Sequence, residues 1–509
     1  MCQPDIYQLY KPLRNHLRQL SIEDSMYVLW AYSQHYAFKN KMPIDIETIP
    51  EFRDAKDWHE KKLYPWEIDS LTRETFINAQ NKPNTKKTLK SWSYFTGAIN
   101  KLKEFENEIS GIYSNERNIL VAIFRISHQQ FPWQSGANQI QLIRYYKIFS
   151  HEGLSKLVED EVGLTTRDLY MVSMMFTGDY VNSPAVTFPV NIQTQLITSE
   201  KVNLYLRKYC IELDDLVNQL KEGQSLDEKF VHAFTPLSSR PIIKMNYRGT
   251  VNLVCPTPTK LFWRVTSGLF FDICGKDGFG NLFGESFQNY VGEVCHTAQT
   301  KPSFTIIPEE SYKVGKGEKD TTDWVIDEGE SALFIECKAK RIKQIAKEEV
   351  LDEKPLKEQL SVLAKSIFQL YKSIHDYKQG LYPNIAFDES KKIFPLVLTL
   401  ESWYAFGDYV YDYINSEVRS LLSTSEVPLT YLEDMPYTTL SISEFEVMIQ
   451  VIQTTGIKSF MEGKTATKEK CMWAMESYIH SAYKKEAMNT CFLFEKEMED
   501  FMPSKAELS

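Results

Sequence analysis

No two cysteines in this chain stand in a C-x-x-C pair. The eight are scattered, at Cys2, Cys210, Cys255, Cys274, Cys295, Cys337, Cys471 and Cys491. That usage fits reduced thiols and excludes a disulfide framework or a cysteine-based zinc site. No apolar run approaches the roughly 18 residues that a membrane span needs. The opening Met-Cys-Gln-Pro-Asp lacks the basic-then-apolar text of a secretory leader. A cytoplasmic protein with no membrane partner is therefore expected. Positive charge is also in deficit: Lys and Arg number 58 against 68 Asp and Glu, a net charge of -10. A nucleic-acid partner would have to meet a local basic patch, because the surface as a whole is acidic. Internal repeats are missing, which excludes solenoids and propellers. The glycine-rich Gly275–Gly280 has no Lys-Ser/Thr after it, which excludes a phosphate loop.

What is present is text for a large globular protein. At 509 residues the chain is long enough for two to four domains, and 13% aromatic residues supply substantial cores. Residues 1–230 read as a helical domain, a sensor, partner or assembly module. Leu13, Leu17 and Leu20, then Met26, Leu29, Trp30 and Tyr36, recur at helical intervals. Further helices are predicted over Trp66–Asn78, Leu89–Ile109, Asn115–Gln129, Asn138–Phe149, Thr166–Phe176, Thr198–Tyr209 and Ile211–Leu220, with Thr165 as an N-cap. The lysines of Asn81–Lys90 (Lys82, Lys86, Lys87, Lys90) form either an exposed loop or a phosphate-contacting arm. A helix-turn-helix is rejected, since Thr177–Thr194 is too long for its turn.

Near residue 230 the text changes to short β-type runs punctuated by Pro236, Pro241, Gly249 and Pro256. Residues 231–455 are expected to form one domain and 456–509 a helical cap. Within it, Trp324–Ile326 and Ala332–Cys337 flank the polar turn Asp327-Glu328-Gly329-Glu330, a hairpin signal. Along the second strand Ala332, Phe334, Glu336 and Lys338 share one face, and Leu333, Ile335 and Cys337 the other. A turn centred between Glu328 and Gly329 puts Asp323 opposite Phe334, on the Glu336/Lys338 face. A slip of one residue would put it on the wrong face. Carboxylate oxygens are hard ligands suited to Mg²⁺ or Mn²⁺, and such an ion lowers the pKa of its water and offsets phosphoryl charge. The bare pattern (D/E)-x-K also occurs at Asp54–Lys56, Glu60–Lys62, Asp227–Lys229 and Asp352–Lys354. Only Glu336–Lys338 ends an apolar β-run. The competing reading is a solvated hairpin end with a Glu–Lys surface pair.

Asp323 followed by Glu336-Cys337-Lys338 resembles the D…(D/E)xK signature of the PD-(D/E)XK nuclease superfamily, with Thr322 where a proline is usual. The resemblance covers about residues 240–455. It implies an α/β (α+β) restriction-endonuclease-like core beside a mainly α-helical N-terminal domain and a helical C-terminal cap. It further implies a Mg²⁺- or Mn²⁺-dependent phosphodiesterase acting on DNA rather than RNA, in the manner of bacterial anti-phage defence effectors. Asp323, Glu336 and the Cys337 backbone carbonyl would hold the metal, and Lys338 would position the attacking water. In the first core helix the glutamate position is Gln288, so Glu285, one turn earlier, is the candidate further ligand; dipole complementation is its other reading.

After the hairpin, Lys340, Arg341, Lys343 and Lys347 make a basic cluster in an acidic protein, suited to phosphate contact or to a solvated helix start. A helix from Pro355 to about Tyr377 carries Lys365 and Gln369 on a polar face, candidates for strand binding or simply solvent-facing. Ile393–Leu400 reads as a strand covered on both faces. Two other classes stay open: an inactive nuclease-fold protein that binds nucleic acid or assembles complexes, and a helical interaction protein in which the hairpin is incidental.

Overall fold

The computed structural model describes residues 5–53, 63–80, 87–113, 119–192, 194–233, 235–301, 304–343, 347, 353–404, 407–504 and 507. The lysines at 82 and 86, the expected helix start at Asn115, and the patterns at Asp54–Lys56 and Glu60–Lys62 lie outside them. The chain divides into two compact units, residues 1–279 with 497–509, and residues 280–496.

The first unit is mainly helical. Ile22–Phe38 starts where Ser21 caps Asp24 and buries residues all round, from Met26 to Trp30 and Tyr36. Thr166–Asn182 begins at the expected Thr165 cap, and Lys201 grips Asp168 in its first turn at 2.7 Å. Tyr10, Arg73 and Gln224 converge on the buried Glu74 carboxylate, Tyr10 donating at 2.6 Å and Arg73 Nε at 3.0 Å. A buried charge needs this kind of pairing. Four strands, β1 (Ala185–Thr187), β2 (Cys210–Glu212), β3 (Ile242–Tyr247) and β4 (Thr250–Val254), form one sheet in the order β1-β4-β3-β2. Arg248 and Gly249, both at positive φ, close the β3–β4 hairpin.

That sheet corrects the expected boundary near residue 230. β3 pairs in parallel with β2, so the strands after residue 230 complete a sheet begun before it. The last residues likewise leave the expected cap: Glu507 pairs with Arg167 at 3.0 Å and Phe501 packs tilted against Tyr146.

The second unit is built on a mixed sheet. Its strands are β5 (Thr305–Pro308), β8 (Trp324–Asp327), β9 (Ser331–Lys338), β10 (Lys392–Thr399) and β11 (Thr438–Ser441), and β6 (Ser311–Val314) and β7 (Gly317–Asp320) pair apart from them. The order is β11-β10-β9-β8-β5; β9, β10 and β11 are parallel, and β8 is antiparallel to both its neighbours. Ser331 to Glu336 are all buried, each large apolar side chain contributing about 1.5–3 kcal/mol. Pro395 is tolerated inside β10 because β11 pairs only with Leu396–Thr399. Ser441 and Glu444 form a capping box that turns β11 directly into the Ile442–Thr455 helix.

Helices cover both faces of this sheet. Phe334 packs on Tyr377 of the Lys354–Lys378 helix, so the Phe334/Glu336 face lies beneath that helix. Trp324, paired across the ladder with Ile335, points the other way and donates through Nε1 to the Gln288 carbonyl at 2.9 Å in the Phe279–Ala298 helix. A Cβ on Gly292 would overlap the Trp324 ring, so glycine is what lets helix and sheet approach this closely. The unit is a three-layer α/β arrangement of mixed strand direction.

Candidate active site

The β8–β9 ladder pairs Trp324 with Ile335, Val325 with Phe334, Ile326 with Leu333 and Asp327 with Ala332. Extended by one residue, it sets Asp323 opposite Glu336, not opposite Phe334 as expected. The turn is centred between Gly329 and Glu330, because Gly329, at φ +92°, takes the first of two loop positions. The difference is two residues, an even number, so the faces are those expected. Glu336 and Asp323 are thus direct cross-strand neighbours rather than diagonal ones.

Their surroundings hold them in place. The Cys337 amide donates to Asp323 Oδ2 at 2.5 Å, and Lys338 Nζ donates to Glu336 Oε1 at 2.7 Å. Glu336 is buried, at 7% exposure. Just upstream, the Thr322 amide donates to the Tyr382 hydroxyl at 3.0 Å, which meets Ser373 Oγ at 2.6 Å. Tyr382 also packs on Phe334, so one aromatic side chain locks the approach to Asp323 from both strands.

Burial, then the Glu336 charge, pushes the Asp323 carboxyl up to about 8, against the opposing Cys337 hydrogen bond. Burial likewise raises Glu336, although Lys338 pulls it back. For Lys338, burial acts to lower the ammonium, but the Glu336 charge and hydrogen bond and the Asp323 charge outweigh it, so it is raised. Burial lifts the Cys337 thiol well above its ordinary range, and its side chain lies away from the Glu336 face of β9, where metal binding would occur. Only the Cys337 backbone is available for that task.

A third carboxylate, the exposed Glu309, acts on them through its charge and was not anticipated from sequence. Glu309 follows β5, and its amide donates to the Asp323 carbonyl at 3.0 Å. Its Oε2 accepts from Gln288 Nε2 at 2.9 Å, and its charge pushes both Asp323 and Glu336 upward. Glu285 is exposed one turn before Gln288 and is not among the charges that shift Glu336. The helix reaches the pair through Gln288 and Glu309. The only available sequence signal was the coincidence of Pro308-Glu309 ending a strand beside the hairpin.

The expected basic cluster is divided. Arg341 is largely buried and pairs with Glu401 at 2.5 Å, so it is committed within the protein. Lys340 and Lys343 are exposed. Lys365 and Gln369 are exposed as well and lie on one helical stripe with Ser373, which anchors Tyr382.

Among the described residues no group of three or more His, Cys, Asp and Glu side chains is gathered closely enough to hold a metal ion. Nor is any helix among them long and apolar enough to cross a membrane. No family model matches the chain, and no curated protein or solved structure does.

Proposed function

We propose that this chain is a metal-dependent phosphodiesterase that cuts DNA, with a restriction-endonuclease-like core in its second unit. The observation that supports this most is the opposition of Asp323 and Glu336 at a largely buried strand end, with the Lys338 ammonium bonded to Glu336. Like charges so placed are unfavourable unless protonated or met by a cation. Hard carboxylate donors fit Mg²⁺ or Mn²⁺, with the Cys337 carbonyl as a further oxygen. When bound, such an ion supplies a Lewis acid that withdraws charge from the phosphoryl group.

The chain's own residues do the remaining work. The Cys337 amide fixes Asp323, Glu336 orients the Lys338 ammonium, and Lys338 donates to the water or the phosphate oxygen that approaches. The sequence β5, β8, β9, helix, β10, β11 and the two flanking helical layers support the nuclease-like reading of the core. The same scaffold without turnover would give a nucleic-acid-binding protein, and one experiment separates the two. Purified full-length protein is incubated with plasmid and Mg²⁺ beside Lys338→Ala. Cutting by the parent, reduced roughly 10²–10⁴-fold in the variant, supports the enzyme. Equal retention of DNA with no cutting by either protein overturns it in favour of binding alone.

A further inference from the structure

Between Glu309 and Asp323 the chain leaves the sheet as the β6–β7 ribbon and returns. Its two strands pair only with each other. The base is stitched by Glu309 to Asp323 at 3.0 Å, by the Glu310 amide to Thr321 Oγ1 at 2.9 Å, and by the Thr321 amide to the Glu310 carbonyl at 3.1 Å. Tyr312 is its one buried residue. The Tyr312 hydroxyl and the Lys319 ammonium both reach Asp376 Oδ2, at 2.7 and 2.6 Å, which pins the ribbon to the Lys354–Lys378 helix.

Beyond that anchor Val314 is half-buried and the rest of the tip is open to solvent. Lys313, Gly315, Lys316, Gly317 and Glu318 are all exposed. A two-stranded hairpin without a hydrophobic face is marginal in water, so core formation does not account for it. Gly315, at φ +62°, turns the tip, and a Cβ there would meet nothing. At Gly317 the nearest atom to an added Cβ is 3.7 Å away, so the slender tip is not imposed by neighbours. Lys319 is neutralised by Asp376, and Asp320 accepts from Ser311. The distal half then carries Lys313 and Lys316 against Glu318, which faces Lys313 across the ladder, a local excess of one positive charge in a chain of net charge -10.

We propose that this ribbon is an arm that enters a groove of duplex DNA, with Lys313 and Lys316 on phosphates, and so presents the duplex to the carboxylates at its base. The inference rests on reading those carboxylates as a phosphodiesterase site. A B-form major groove, about 12 Å wide, admits a two-stranded ribbon, whereas the narrow, deep groove of duplex RNA does not. Since the arm's two ends are Glu309 and Asp323, whatever it grips is held beside them.

The test measures binding of the full chain to a short labelled DNA duplex without divalent metal, over a salt series, and cutting with Mg²⁺. Three proteins are compared: the parent, Lys313→Ala/Lys316→Ala, and Lys338→Ala. The double variant should bind roughly tenfold more weakly, with a salt slope shallower by about two, because each phosphate contact contributes about 0.9. Its KM for DNA should rise with kcat unchanged. Lys338→Ala, which removes at most one phosphate contact, should change the salt slope by no more than about one and lose cutting. Unchanged affinity and slope in the double variant overturn the arm and leave the enzyme reading standing. So does equal affinity of the parent for duplex RNA. A parent that binds through these lysines and cuts nothing keeps the arm and removes the enzyme. A parent that binds no DNA removes both.

Discussion

Asp323 accepts a 2.5 Å hydrogen bond from the backbone of Cys337, so the strand that carries Glu336 also fixes the carboxylate facing it. Asp323 cannot swing away from the other acid without giving up that bond, and Glu336 is tied to Lys338. The repulsion between them is therefore stored in the fold, and it is released by a proton or a cation.

The proton alternative gives a stability prediction. Burial and Glu336 raise the Asp323 carboxyl to about 8, so the folded chain holds that proton more tightly than the unfolded one. The associated stabilisation is complete below the ordinary carboxylate pKa of about 4 and is lost as pH rises toward that raised value. Asp323→Asn keeps an acceptor for Cys337 and removes the charge. In metal-free buffer the variant should gain on the parent by roughly 1–3 kcal/mol between pH 5 and pH 8, read from denaturant midpoints. Adding Mn²⁺ at pH 8 should raise the parent's Tm and leave the variant's unchanged. Parallel pH profiles for the two proteins would contradict the raised carboxyl.

Lys338 competes with any bound cation for Glu336, since its ammonium already sits 2.7 Å from Oε1. Lys338→Met should therefore leave Mn²⁺ affinity equal to or tighter than the parent's, by isothermal titration, while cutting disappears. If metal affinity and cutting fall together, Lys338 acts by shaping the metal site and not on the water or phosphate.

Away from the site, the contact between Gly292 and Trp324 sets how closely helix and sheet pack. Gly292→Ala drives a methyl into the indole and should destabilise the second unit by about 1–3 kcal/mol in urea unfolding. Trp324→Leu alone loses the 2.9 Å bond to Gln288, and combined with Gly292→Ala it should recover part of the loss. Strict additivity of the two changes would show that the ring and the glycine do not meet.

Much of this unit was legible because its signals are local. An apolar run ending in Glu-Cys-Lys, a glycine turn and the helix led by Pro355 each fix their own element. Strand register was less legible: which loop position Gly329 fills depends on strand twist, and the two-residue error survived only because it preserved faces. Glu309 was illegible for a different reason. Its relation to Asp323 spans an inserted ribbon, and charges brought together by tertiary pairing leave no periodic trace. The first unit's boundary failed similarly, since the parallel β2–β3 pairing joins residues on either side of the compositional change at 230.

Glu309 supplies the remaining test. Its amide bond to Asp323 belongs to the backbone and survives any side-chain change, whereas its charge acts on both buried acids. Glu309→Gln removes one negative charge from beside the pair. Both carboxyls should then ionise at lower pH, so the midpoint of pH-dependent Mn²⁺ binding should move down by about half a unit or more. If Glu309 instead reaches the cation itself, the variant should bind Mn²⁺ more weakly at every pH, with no shift of midpoint. A profile that coincides with the parent's at every pH would show Glu309 to be only a surface partner of Gln288. Gln288→Glu, which sets a like charge against Glu309 across a 2.9 Å contact, should shift the midpoint in the opposite direction.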